Sequence, residues 1–131
     1  MADSICYDNS PLGVFHLTGE YAIPQGANWD TTIKYKENGT IIDFGTGYSA
    51  RLQVRKDYGQ AIIVELSSTA GTIVLATGVG DTPNVVFKWT PAATTPLTIY
   101  EGIYDLEITS PTGSIIKFLE GRWALRREVT L

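Results

Sequence analysis

His16 is the sole imidazole in the chain, and Ser4, Cys6 and Ser10 lie near it in sequence. A hydroxyl or thiol nucleophile needs an oriented base and a pre-formed oxyanion pocket. The surrounding stretch carries neither a period of 2 nor one of 3.6 that would build such a frame, so no catalytic residue is assigned. Cys6 is the single cysteine. That excludes an intrachain disulfide framework and every multi-cysteine zinc pattern, and leaves an incidental thiol able to link two chains under oxidising conditions. Gly45-Thr46-Gly47-Tyr48-Ser49-Ala50 fits G-x-G-x-x-A, but holding a pyrophosphate requires a helix to start there. Ala50 to Arg55 alternates like a strand, so the glycines read as turn formers and no cofactor is expected. Asn38-Gly39-Thr40 is formally a glycosylation sequon and reads better as a turn. Asp30, Asp43, Asp57, Asp81, Asp105 and Glu107 stand singly, without the spacing of a calcium loop or an acid/base pair. The expectation is a non-enzymatic chain without metal or cofactor.

Recognition chemistry has more to work with. Trp29, Tyr35, Trp89, Tyr104 and Trp123 fall in apolar phase within strand-like runs and read as core, which leaves Tyr58 and Tyr100 at turns as exposed aromatics. Arg122, Arg126 and Arg127 form a positive strip near the C-terminus, either a solvated edge or a surface for docking onto an acidic neighbour. These five residues are the interface candidates. The formal charge of −4 gives no global field for a nucleic-acid backbone or an anionic membrane. No apolar run approaches the ~18 residues of a membrane span, and the N-terminus lacks a basic segment leading into an apolar one. Synthesis in a cytoplasm as a soluble chain is expected.

A length of 131 residues allows one ordinary domain. Thr (16), Ile (13) and Val (8), punctuated by 13 Gly and 6 Pro, make a strand-and-turn composition. Residues 1–17 lack any period and read as an irregular N-terminal arm, expected to order only on assembly. Residues 18–131 form the domain proper, in which apolar runs recur every eight to twelve residues. Asn38-Gly39 closes a two-residue hairpin that places Glu37 opposite Thr40, Tyr35 opposite Ile42, Ile33 opposite Phe44 and Lys34 against Asp43. Pro111-Thr112-Gly113 closes a second, with Ile108 facing Ile116, Leu106 facing Phe118 and Glu107 facing Lys117. Further strands are expected over Ser49 to Arg55, Ala61 to Leu66, Thr72 to Thr77, Asn84 to Trp89 and Arg122 to Thr130. A bulge at Gly121 would let both Phe118 and Trp123 reach the interior. The fold expected is an all-β, antiparallel, immunoglobulin-like β-sandwich of eight or nine strands, with a small closed barrel as the alternative.

Three groups of residues carry a resemblance over about Glu20 to Thr130: Ile42-Asp43-Phe44-Gly45-Thr46-Gly47-Tyr48-Ser49-Ala50-Arg51-Leu52-Gln53-Val54-Arg55, then Glu65-Leu66-Ser67-Ser68 with Gly71-Thr72-Ile73, then Tyr104-Asp105-Leu106-Glu107-Ile108 with Gly113 and Gly121. Together they resemble small virion proteins of tailed bacteriophages, of the immunoglobulin-like family related to the N-terminal domains of baseplate upper proteins. That family's pattern carries no catalytic residues. The resemblance implies a structural or docking role at the neck, tail or baseplate, with many copies assembled symmetrically among other virion proteins. A module binding host-surface carbohydrate through exposed aromatics and carboxylates is the alternative. A hydrolase working through His16 ranks behind both.

Overall fold

The computed structural model describes residues 5–8 and 13–127. Eleven strands are present among them: β1 (Ile5–Asp8), β2 (Gly13–Val14), β3 (Ile23–Pro24), β4 (Trp29–Glu37), β5 (Thr40–Ile41), β6 (Ser49–Arg55), β7 (Ile62–Ser67), β8 (Ile73–Leu75), β9 (Val85–Trp89), β10 (Glu101–Thr109) and β11 (Ile115–Arg126). The one α-helix among the described residues, α1 (Pro91–Thr94), is a single turn capped by Thr90. Two sheets result. The first runs β1-β4-β9-β8 with β5 hairpinned onto β4, and the second runs β2-β11-β10-β6-β7 with β3 also on β11.

The sheets pack face to face because their strands alternate. Ile33 and Tyr35 of β4, Val85, Phe87 and Trp89 of β9 and Ile73 of β8 point inward from the first sheet. Ala50, Leu52 and Val54 of β6, Tyr104, Leu106 and Ile108 of β10, and Trp123 of β11 meet them from the second. Trp89 and Trp123 meet across the interface with ring centres 6.3 Å apart and planes tilted by 43°. This is a two-layer all-β sandwich, as the alternation implies, and not a closed barrel.

Both hairpins form, each with a local correction. In the first, Asn38 (φ 52°) and Gly39 (φ 76°) take the left-handed conformations of a two-residue turn, and Glu37 pairs with Thr40. The Ile42 N–H still donates to the Tyr35 carbonyl (3.1 Å), but the pairing goes no further: Ile33 lies opposite Val85 and not Phe44, and Lys34 meets Asp81 at 3.4 Å and not Asp43. Asn84 drives this divergence. Fully buried, it accepts from the Tyr35 N–H (2.8 Å) and donates to the carbonyls of Tyr35 (2.9 Å) and Ile42 (2.7 Å), fixing the point where the chain leaves β4.

In the second hairpin, Ile108 faces Ile116 and Glu107 faces Lys117, but Leu106 faces Leu119. The register shift falls at Phe118, not at Gly121, so Phe118 and Leu119 are both buried although adjacent. β11 continues unbroken from Ile115 to Arg126, so Arg122 does not open a separate strand; residues 128–131 lie outside the described residues.

The expected irregular arm is the main departure. Residues 1–4 and 9–12 lie outside the described residues, but β1 pairs in parallel with β4 in register Ile5 to Ile33. Residues 13–25 run in parallel along β11 through β2, the Leu17–Trp123 bridge and β3. Leu17 and Ile23 are fully buried, so the core draws on this segment and a boundary at residue 18 would cut through it. The reason is physical. A short parallel strand added to a sheet edge needs backbone groups and an occasional apolar anchor, not the alternating run that reveals a hairpin.

Candidate functional site

The interface candidates fall into two groups. At one end of the sandwich the chain leaves β11 beside the start of β4 and the segment entering β10. There the Arg126 Cζ lies 5.8 Å from the centre of the Trp29 ring, and the Arg127 Cζ lies 4.4 Å from that of Tyr100. Tyr100 is therefore a half-buried platform under an arginine and not the free aromatic expected, while both arginines are exposed. The Leu125 N–H donates to the Tyr100 carbonyl at 2.8 Å, which fixes the second ring relative to β11. A guanidinium resting on a ring keeps its planar N–H fork available for a carboxylate while losing rotamer freedom beforehand.

The second group lies on the outer face of the second sheet. Tyr58, 79% exposed, and Arg122 line a cleft of about 410 Å³ together with His16, Arg55, Asp105 and Glu120. Several of these are tied up locally: Arg55 donates to the Gln60 carbonyl and to Gln53 Oε1, and Asp105 pairs with Lys117 at 3.5 Å. Arg51 pairs with Glu107 at 3.0 Å. The cross-strand neighbours Glu107 and Lys117 thus each find their ion pair elsewhere.

His16 has a defined backbone role. Its Nδ1 accepts the Arg122 N–H at 2.9 Å, so it stands as an acceptor in the ladder between the N-terminal segment and β11. Beneath it, the Tyr104 hydroxyl donates to the Phe15 carbonyl at 2.6 Å. Burial, and then the charge of Glu120, hold the Tyr104 phenol far above the ordinary tyrosine range, so it stays a donor. Ser4 and Ser10, weighed as nucleophiles beside His16, lie outside the described residues, and Cys6 sits in β1 opposite Lys34.

The glycine fingerprint resolves as a turn followed by a strand. The Gly45 N–H donates to Asp43 Oδ1 at 2.7 Å, and Ser49–Arg55 is β6, so no helix start stands behind it. Sequence reasoning missed Trp29 as a half of the arginine platforms, because its apolar phase pointed wholly to the core; it is half-buried. It also missed Asp81, which bridges Lys34 and Lys36 at 3.4 and 2.9 Å. The turn-forming pair Gly80-Asp81 was the available signal, and Asp81 takes a positive φ of 60° there. Among the described residues, no group of three or more His, Cys, Asp or Glu side chains is placed to hold a metal ion, and no helix is long and apolar enough to cross a membrane. Set against known proteins, the chain matches no family model, and no curated protein shows significant similarity to it.

Proposed function

We propose that the chain is a non-enzymatic docking component of a tailed-bacteriophage virion, present in multiple copies at the neck, tail or baseplate among other virion proteins. The resemblance of its strand and turn residues to immunoglobulin-like virion proteins motivates the reading. The observation that carries it is the pair of adjacent arginines, Arg126 and Arg127, each seated on an aromatic ring at one end of the sandwich. Two charged forks held against aromatic rings suit the capture of carboxylates on a neighbouring subunit, since less ordering remains to be done on contact.

The test is incorporation. Quantitative mass spectrometry of particles purified from the encoding phage is expected to find the chain in fixed stoichiometry. The double variant R126E/R127E, altered at exposed positions, is expected to fold but to be depleted at least ~10-fold, as for charge reversal at a docking contact. Absence of the wild-type chain from particles overturns the role, and full incorporation of the variant overturns the docking surface. A second reading, a module for host-surface carbohydrate, has one observation in its favour: Tyr58 stands exposed at a cleft that also holds Asp105, Glu120 and Arg122. Binding on a glycan array that is lost in Tyr58→Ala would replace the first reading with this one.

A further inference from the structure

The ladder between the N-terminal segment and β11 has one irregular rung. Phe15 N–H donates to the Glu120 carbonyl (2.9 Å), Leu17 N–H donates to the Arg122 carbonyl (2.8 Å), and Ala124 N–H donates to the Leu17 carbonyl (2.9 Å). In a regular parallel pairing the Arg122 N–H would go to the Phe15 carbonyl. That carbonyl instead turns toward the Tyr104 hydroxyl, over Gly121, where an added Cβ would stand 2.1 Å from it. The vacated place is taken by a side chain, His16 Nδ1, at 2.9 Å from the Arg122 nitrogen.

A backbone carbonyl accepts at any pH, and an imidazole does not. With Nδ1 accepting, the neutral ring carries its proton on Nε2, and adding a second proton puts N–H against N–H. We propose that His16 is a proton-sensitive latch: protonation loosens residues 13–16 from the edge of β11. The hinge of the opening is set by burial. Leu17 is fully buried, Phe15 is half-buried against Tyr21, and Val14 and His16 are exposed, so the firmest anchor comes immediately after the latch.

The charges facing the imidazole come from three directions. β10 presents Glu101 and Asp105, β11 presents Glu120 and Arg122, and the end of β6 with its following turn presents Arg55 and Lys56. Tyr58 and Tyr104 complete the wall. Carboxylates and cations are balanced there, so no single neighbour takes the place of the latch, and the carboxylates require their own control.

The experiment is amide exchange at Arg122 by NMR on the full chain at about pH 7.5 and about pH 5, corrected for intrinsic exchange. Wild-type protection is expected to fall roughly five- to tenfold at the lower pH, the worth of one hydrogen bond. His16→Asn, whose Oδ1 can accept at the same place without titrating, is expected to be protected at both values, and His16→Ala at neither. Wild-type protection that does not change with pH overturns the latch. So does an equal fall in His16→Asn, which would assign the effect to the carboxylates, and so does full protection in His16→Ala at the higher pH.

Discussion

Asp81 is a side chain whose contribution can be isolated. The hydrogen bond from Lys36, then the charge of Lys34, holds its carboxyl below the ordinary aspartate range. A group lowered on folding stabilises the native state above its unfolded value, and that contribution fades as pH falls through the folded value. Asp81→Asn keeps a residue tolerant of positive φ while removing the charge. A slightly lower urea midpoint is expected at pH 7, converging with wild type as the solution is taken below the carboxylate range; a constant gap at every pH would refute the ion-pair account. Sequence matched Lys34 to Asp43 because hairpin neighbours are the partners a local register can see. The true partner lies 47 positions away, on a turn that only the folded chain brings near. Asn84 was illegible for a related reason: as a residue at the head of an apolar run it looks like a strand's polar margin, and its bonds to Tyr35 and Ile42 depend on tertiary placement.

Among the elements, β11 carries β10 on one edge and the N-terminal segment on the other. Much of its pairing to β10 was legible, because apolar matching and opposite charges fix Ile108 to Ile116 and Glu107 to Lys117. The position of the bulge was not legible. Gly121 invites one by composition, whereas two adjacent core residues, Phe118 and Leu119, require the extra residue three positions earlier. Gly121 serves close approach instead, since its missing Cβ leaves room for the Phe15 carbonyl. Gly121→Ala is expected to destabilise by about 1–3 kcal/mol, as overpacking against backbone does, with loss of exchange protection concentrated at residues 13–17. Chemical denaturation with site-resolved exchange measures both, and a neutral effect would mean that the segment sits elsewhere.

For the molecule as a whole, the two-layer all-β architecture was legible from alternation, and the part played by residues 5–8 and 13–17 was not. Their parallel pairings join segments far apart in sequence, and two-residue strands such as β2 and β3 carry no periodic signature. Deleting residues 1–17 removes the fully buried Leu17 and bares the β11 edge from Leu119 to Trp123, leaving β3 in place. Loss of a buried leucine alone is worth about 2–5 kcal/mol, so the shortened chain is expected to lose at least ~3 kcal/mol of stability in urea titration. An unchanged midpoint would restore the arm to the status of an appendage. The same topology bears on biosynthesis. Residues 13–25 leave the ribosome early, but their partner strand spans Ile115–Arg126. At translation rates of 5–20 residues per second, roughly 5–20 s pass before that partner emerges. Throughout that interval Leu17 and Ile23 have no sheet to enter. Until β11 is made, residues 13–25 are thus open to proteolysis, although Leu17 and Ile23 end fully buried in the finished molecule.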